Sequence, residues 1–152
     1  GHARAQFSLG NAYYFGQGVP QDDAQAAAWH LKAADQGDAG AQFNLGNAYH
    51  LRRGVPQDDA QAVSWYRKAA DQGHARAQFS LGFACHLGRG VPQDDVEAHK
   101  WYNLAAARAN GDDREQRERL RDNLAEQMTP AQLAEAQKLA SEWQAAFDAR
   151  QE

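Results

Sequence analysis

The chain has 152 residues, 16 basic and 20 acidic side chains, a formal net charge of −4 and 43% hydrophobic residues. This is the composition of a folded globular protein, and no apolar run approaches the roughly 18–20 residues of a membrane-spanning helix. The acidic balance argues against a nucleic-acid partner, which would call for a basic face, and the single cysteine, Cys85, excludes an intrachain disulfide framework.

Three segments of 36 residues repeat one another along the chain: 1–36, 37–72 and 73–108. Without gaps, the first two agree at 25 of 36 positions and the last two at 22. This period is typical of helical solenoids, in which each unit buries its apolar face against the next. The opening GHARAQFSLG returns at 73–82, so we interpret it as repeat sequence and not as a tag. We expect any upstream repeats or targeting segment to lie outside this chain.

The first half of each repeat predicts a helix, which runs in the first copy over about 3–15. Its inward face is predicted to carry Ala5, Leu9 and Ala12. A glycine recurs in the middle of this helix, at Gly10, Gly46 and Gly82. Glycine costs about 1 kcal/mol against alanine within a helix, so its recurrence indicates close approach by a neighbouring helix.

The second half of each repeat predicts another helix after the turn at 16–23. Pro20 ends the first helix, and Asp22 is predicted to N-cap the second, with Gln25 completing a capping box. The pairs Asp58 with Gln61 and Asp94 with Glu97 repeat this arrangement. The helix turns Ala26, Trp29 and Ala33 inward, and it ends before Gly37 in the first copy and Gly73 in the second.

Residues 109–152 leave the pattern and carry the whole net charge, because the repeats contain ten acidic and ten basic side chains. A helix is predicted over 112–127, with the apolar stripe Leu120, Leu124 and Met128. Thr129 and Pro130 start a second helix that ends near Ala149. Its apolar stripe is predicted to contain Leu133, Ala136, Leu139 or Ala140, Trp143 and Phe147. We interpret the pair as a polar-backed cap on the repeat array.

The repeat unit resembles the Sel-one-like repeat, a relative of the tetratricopeptide repeat. The resemblance covers 1–108 and is carried by Leu9-Gly10, Tyr13, Gly16-x-Gly18-Val19, Asp22, Ala26, Trp29 and Ala33-Ala34, with their equivalents 36 and 72 residues later. It implies an all-α, right-handed α-solenoid of three helix pairs plus the C-terminal pair. It also implies a non-enzymatic adaptor that holds a protein or an extended peptide in its concave groove. Some relatives carry a cysteine pair in each repeat, and this chain does not.

In the tetratricopeptide relatives the first helix of each pair lines the groove. By that analogy the candidate site residues are Arg4, Phe7, Asn11 and Tyr14 in the first copy, Phe43, Asn44, Asn47 and His50 in the second, and Arg76, Phe79, Phe83 and His86 in the third. Phe15, Leu51 and Leu87 point the same way. Asparagine and arginine can hold a peptide carbonyl or carboxylate, and aromatic rings supply apolar pockets. The alternative is that Phe7, Phe43 and Phe79 pack between repeats and that Asn44 and Asn47 only face solvent.

Other chemistry is weakly indicated. Gly16-Gln17-Gly18 resembles the start of a phosphate loop but follows a helix, so a structural turn is favoured. The acidic doublets at 22–23, 58–59 and 94–95 lack the alternating oxygen ligands of a calcium loop, and helix caps explain them better. His50, His86 and Cys85 are possible metal ligands, although Cys85 stands at a core-type position and is better interpreted as a buried apolar filler. The four tryptophans have helical spacing and favour packing over ligand stacking. We expect no catalytic residue, metal or cofactor.

The leading hypothesis is therefore a non-enzymatic scaffold that binds a protein or an extended peptide. The alternative is an interaction module of a larger hydrolase or cell-envelope assembly whose catalytic part lies outside this chain. A structural or laboratory-made array is a third possibility, although uneven substitutions such as Asn47 to Phe83 in successive copies are typical of natural drift. We expect a bacterial protein of the cytoplasm or periplasm, with a monomer favoured.

Overall fold

A computed structural model describes residues 2–152 of the chain. Within these residues there are eight α-helices and no β-strand. The helices are α1 (His2–Phe15), α2 (Asp23–Asp35), α3 (Ala39–Leu51), α4 (Asp59–Asp71), α5 (Ala75–Leu87), α6 (Asp95–Ala107), α7 (Gly111–Ala125) and α8 (Pro130–Gln151). The fold is all-α, as the repeat predicts, with two helices in each repeat and two in the C-terminal segment. None of the helices in residues 2–152 combines the length and the apolar content needed to cross a membrane.

The helices form two compact units. The first unit ends at Ala69 and contains α1, α2, α3 and most of α4. The second unit runs from Ala70 to Glu152 and contains the last residues of α4 together with α5, α6, α7 and α8. Each unit holds part of the candidate site, and each is described by itself below.

The second helix of every repeat begins at the predicted N-cap. The carboxylates of Asp22, Asp58 and Asp94 each accept the backbone N–H three residues further on, at 3.1 Å. The predicted capping box is only half formed, because the backbone N–H of each of these caps donates to a carbonyl of the preceding helix, at Tyr13, Tyr49 and Cys85. The cap thus also fastens the second helix of a repeat to the first. A complete capping box is present in α8, between Thr129 and Gln132.

The mid-helix glycines lie where the two helices of a repeat cross. A Cβ atom on Gly46 would stand 2.6 Å from the ring of Tyr66, and one on Gly82 would stand 2.9 Å from the ring of Tyr102. A Cβ atom on Gly10 would come within 2.6 Å of the imidazole Nε2 of His30. The predicted close approach is confirmed, and it is made by a ring on the second helix of the same repeat.

In the first unit, α2 packs on α3 through small side chains. Ala33 and Ala34 are buried with Ala41 and Leu45 in one apolar cluster, and the side-chain amide of Gln42 donates to the carbonyl of Ala34 at 3.2 Å.

The residues of α1 that are equivalent to Ala41 and Leu45 are not buried. Ala5 is exposed and Leu9 is half-buried, whereas their equivalents in the second and third copies are buried: Ala41 and Leu45, and Ala77 and Leu81. The prediction of an inward face was therefore wrong for Ala5, because this side of α1 has no helix against it in residues 2–152.

In the second unit, α8 packs on α6 through its predicted apolar stripe. Ala136 and Ala140 are buried, and the ring of Trp143 meets that of Trp101 edge to face, with 5.8 Å between centroids. Trp143 also stacks on Phe147 at 5.1 Å. The opposite side of α8 is polar, with an i, i+4 pair between Lys138 and Glu142. This two-sided helix suits the capping role proposed for it.

Candidate functional site

In the first unit, two candidate asparagines are hydrogen-bonded to each other, and a buried histidine bonds to one of them. The side-chain oxygen of Asn11 accepts hydrogen bonds from Nε2 of His30 at 3.0 Å and from the amide of Asn44 at 3.1 Å. Burial lowers the pKa of His30 to about 4, so the imidazole is neutral at pH 7. Because the side-chain oxygen of Asn11 can only accept, its hydrogen bond with His30 places the imidazole proton on Nε2. The sequence analysis missed this role of His30.

We expect replacement of His30 by tyrosine to reduce the acid sensitivity of the protein. The folded pKa of His30 lies below the unfolded value of 6.5, so the unfolded chain binds more protons, and stability falls as pH falls from 6.5 towards 4. Between pH 7 and pH 4.5 this group contributes a loss of about 2–3 kcal/mol. Tyrosine occupies the equivalent positions 66 and 102 and does not titrate there.

Urea denaturation of both chains at pH 7 and pH 4.5 measures this difference. Between pH 7 and pH 4.5, the His30→Tyr chain should lose about 2–3 kcal/mol less unfolding free energy than the wild type. Equal losses in the two chains would contradict the assignment of His30 as a neutral buried group.

The second repeat holds its central asparagine in a similar way. The hydroxyl of Tyr66 donates to the side-chain oxygen of Asn47 at 2.6 Å. Burial, with Asp59 nearby, raises the pKa of Tyr66, so the phenol stays protonated and remains a donor. Phe43 is buried with its ring 6.0 Å from that of Tyr66. Phe43 therefore packs in the interior against a ring of its own repeat.

Phe7 is in an intermediate position. Its ring is half-buried, 5.8 Å from the imidazole of His30, and a Cβ atom on Gly40 would approach it to 3.1 Å. It therefore packs between α1, α2 and α3 and keeps part of its surface exposed. Arg4, one turn earlier, is exposed.

Tyr14 is held by an arginine of the following repeat. The guanidinium of Arg53 forms two hydrogen bonds with the carboxylate of Asp23, at 3.1 and 3.3 Å, and a third with the hydroxyl of Tyr14. It also lies 4.0 Å from the centre of the Tyr14 ring. This cluster joins the first two repeats beside the candidate face, and sequence analysis did not identify Arg53.

Each of the candidate histidines, His50 and His86, is paired with the aspartate that begins the second helix of its own repeat. Nδ1 of His50 lies 3.0 Å from Asp59, and Nδ1 of His86 lies 3.2 Å from Asp95. The first aspartate of each acidic doublet is a helix cap, as predicted. The second aspartate pairs with a histidine of the first helix at Asp59 and Asp95, whereas Asp23 pairs with Arg53 of the following repeat. In the part of the chain that the structure describes, no group of three or more His, Cys, Asp or Glu side chains is close enough to hold a metal. Cys85 is buried, as expected of an apolar filler.

In the second unit, α5 carries the aromatic candidates. The ring of Phe79 lies 6.5 Å from that of Phe83 and 5.8 Å from that of Tyr102. The buried guanidinium of Arg117 lies 5.5 Å from the centre of the Phe79 ring and donates to the carbonyl of Ala105 at 3.2 Å.

Two arginines lie near this aromatic group. Burial lowers the pKa of Arg117, with Asp113 raising it and Arg76 lowering it. Arg76 lies on α5, three residues before Phe79, and is exposed.

Each first helix ends in an exposed apolar side chain at the same repeat position. Phe15, Leu51 and Leu87 are 62%, 56% and 44% exposed. Phe83 is 41% exposed and lies one helical turn before Leu87. Single exposed apolar residues are ordinary, but here they recur at one repeat position, and contiguous exposed apolar surface is typical of interaction sites.

Comparison with protein families matches the Sel1 repeat at residues 3–38, 39–74 and 75–110. The chain belongs to the Sel1 repeat family. Proteins of this family are generally non-catalytic scaffolds for protein interaction. Comparison with curated proteins gives no match.

Solved Sel1-type structures are similar to this chain. A Sel1 repeat protein from Oxalobacter formigenes is 42% identical with a TM-score of 0.69, covering 71% of this chain and 44% of its own. The protein c5321, described as a protective antigen of uropathogenic Escherichia coli strains displaying an SLR fold, is 36% identical with a TM-score of 0.84, covering 99% of this chain and 32% of its own. This Sel1 repeat chain thus spans less than half the length of either relative. Cysteine rich protein B of Helicobacter pylori, at 19% identity, TM-score 0.59 and coverage of 73% and 91%, shares the fold alone.

Proposed function

We propose that this Sel1 repeat chain is a non-enzymatic scaffold that binds an extended segment of a partner protein on the exposed faces of its first helices. In the first unit the face is formed by α1 and α3, and in the second unit by α5. The observation that carries the proposal is the fixing of candidate polar side chains on these faces by groups of the second helices. The single groove across all three repeats, and the alternative of a module in a larger hydrolase or cell-envelope assembly, stay predictions.

Fixed polar groups favour binding because a ligand does not have to order them. Asn11 is held by His30, Asn47 by Tyr66 and His50 by Asp59. Each of these first-helix side chains is nevertheless only half-buried. Side chains that are already in place lose less conformational entropy on binding, which is the physical advantage of a preorganised site.

The exposed apolar residues supply the second requirement. A bound segment would cover Leu51 in the first unit or Leu87 in the second, and the apolar area removed from water favours binding by about 25 cal/mol per Å². Arg76 adds a cation that can form a charge-assisted hydrogen bond with a carboxylate. Apolar anchors beside fixed polar groups are characteristic of protein-interaction hot spots.

The test has two steps. A partner protein is first isolated from native extract with the wild-type chain, and its affinity is then measured for the wild-type chain and for matched variants. We expect Leu51→Ser to weaken binding about tenfold. We expect Arg76→Ala to weaken it about tenfold to a hundredfold. The controls are Leu31→Ser and Arg67→Ala, which change the same residue types at exposed positions of the second helices. Loss of binding in the controls with retention in the first two variants would place the site elsewhere.

Asn47→Ala is unsuitable for this test. It would leave the buried hydroxyl of Tyr66 without its acceptor, which costs about 1–3 kcal/mol of stability. Weaker binding by that variant would not separate a lost contact from a loosened fold.

A further inference from the structure

At one repeat position the third copy has a different type of residue from the other two. This position is occupied by Asn11, Asn47 and Phe83 in successive repeats. In the first two copies the asparagine oxygen is paired with the ring that lies against the mid-helix glycine, His30 or Tyr66. In the third copy phenylalanine removes that acceptor.

The consequence is a buried hydroxyl without a partner. Tyr102, the equivalent of Tyr66, is 1% exposed, and its hydroxyl has no hydrogen-bond partner in residues 2–152. The ring is closely packed against Gly82, where a Cβ atom would meet it at 2.9 Å. Burial raises the pKa of Tyr102, so the hydroxyl keeps its proton. A buried donor without an acceptor is unfavourable.

Phe83 does not recover this loss by becoming buried, because 41% of its surface remains exposed. The third repeat has exchanged an internal hydrogen bond for an aromatic ring on its surface. That ring continues the row formed by Phe79 and Leu87, at a spacing of four residues along α5. Local departures from a stable arrangement of this kind concentrate at functional positions.

We propose that Phe83 is a specificity-determining contact of the third repeat, where the face of α5 takes an apolar side chain flanked by acidic residues in a partner protein. The proposal rests on the proposed function and names the ligand chemistry of its second-unit face. The acidic preference follows from charge. Helix α5 contains Arg76, which is exposed, and no acidic residue. Arg117 is buried beside Phe79 and has Asp113 near it. The exposed Arg76 is therefore the group that would attract a carboxylate and repel a cationic segment.

The first test concerns the hydroxyl. Tyr66→Phe should lower the melting temperature by about 2–4 °C, whereas Tyr102→Phe should leave it unchanged or raise it, because only Tyr66 loses a hydrogen bond. In a Phe83→Asn chain, which restores the acceptor, Tyr102→Phe should become destabilising. Equal losses for Tyr66→Phe and Tyr102→Phe in the wild-type background would overturn the exchange described above.

The second test concerns binding. The probes are three fluorescein-labelled nine-residue peptides of serine and glycine with a central Asp-Phe-Asp, Asp-Ser-Asp or Lys-Phe-Lys, titrated with the full chain by fluorescence anisotropy. We expect Asp-Phe-Asp to bind most tightly, and we expect Phe83→Asn and Phe83→Ala to weaken it about tenfold or more. Leu31→Ala, at an exposed apolar position of α2, is the matched control and should leave the affinity unchanged.

Each contrary result has its own meaning. Equal affinity of Asp-Phe-Asp for wild type and Phe83→Asn would overturn the role of Phe83 and leave the scaffold proposal standing. Equal affinity for the Asp and Lys peptides would overturn the acidic preference. Failure of all three peptides to bind would overturn the ligand chemistry assigned to α5. The scaffold proposal is tested separately, by the affinities of Leu51→Ser and Arg76→Ala for the isolated partner.

Discussion

Replacement of Gly54 by alanine should lower the free energy of unfolding by at least about 3 kcal/mol, whereas the same change at Gly18 should cost only about 1–2 kcal/mol. The two glycines occupy the same repeat position and have nearly the same backbone, with φ of +79° and +76°. A Cβ atom on Gly18 would have open space around it. A Cβ atom on Gly54 would overlap the backbone carbonyl of Asp23 and stand 2.7 Å from the backbone nitrogen of Ala24.

The difference between the two variants isolates the contact between the first two repeats, because the conformational penalty is common to both. Urea denaturation measures it. The clash lies at the start of α2, beside the cluster in which Arg53 holds Asp23 and Tyr14, so Gly54→Ala should also disturb the candidate face. Equal losses of stability in Gly54→Ala and Gly18→Ala would contradict the close contact at Gly54.

Removal of residues 129–152 should lower stability by at least about 4 kcal/mol and make the protein aggregate. The deletion takes away Trp143 and Phe147 together with the buried Ala136 and Ala140. It uncovers the ring of Trp101, which is otherwise buried. It also removes a hydrogen bond between Trp143 and Asp71 and one between Arg108 and Gln144.

A point variant keeps this test interpretable if the deleted chain cannot be purified. Trp143→Ala should lower the unfolding free energy by about 2–4 kcal/mol, and Gln137→Ala on the exposed side of the same helix should change it by less than about 0.5 kcal/mol. Thermal denaturation and size-exclusion chromatography give the two readouts. A truncated chain that stays monomeric with an unchanged melting temperature would show that α8 is not a cap.

The local features of the fold were predictable because they depend on residues close together in sequence. An aspartate before a helix satisfies backbone N–H groups three residues away, and this places the starts of α2, α4 and α6. Glycine in the middle of α1, α3 and α5 predicts that another helix crosses closely at that point. The rings of His30, Tyr66 and Tyr102, which lie against these glycines, confirm the prediction. Thr129 and Pro130 likewise place the start of α8.

The partners across repeats were not predictable in the same way. Arg53 reaches Asp23 over 30 residues and Tyr14 over 39, and such pairs depend on how the helices stack. The capping box at Asp22 looked complete in sequence, but its backbone N–H donates to Tyr13 instead. Ala5 has the same residue type as Ala41 and Ala77, and its exposure depends only on what lies beside α1.

The candidate site was predictable as a set of positions but not as a set of roles. Phe43 packs against Tyr66 in the interior, whereas Phe83, one turn further along in the next repeat, is exposed. Whether an aromatic residue at such a position is buried depends on its neighbours on other helices. The change from Asn47 to Phe83 was visible in the sequence, but its meaning required the position of Tyr102.

Site-specific photo-crosslinking tests the scaffold proposal most directly. A photoreactive phenylalanine analogue replaces Leu51 or Leu87 on the first helices, or Leu31 on α2 as the control, since all three leucines are exposed. After irradiation in native extract, a partner protein should be captured covalently through positions 51 and 87 and not through 31, and excess unlabelled wild-type chain should compete with its capture. Capture through position 31 alone would contradict binding on the first-helix faces.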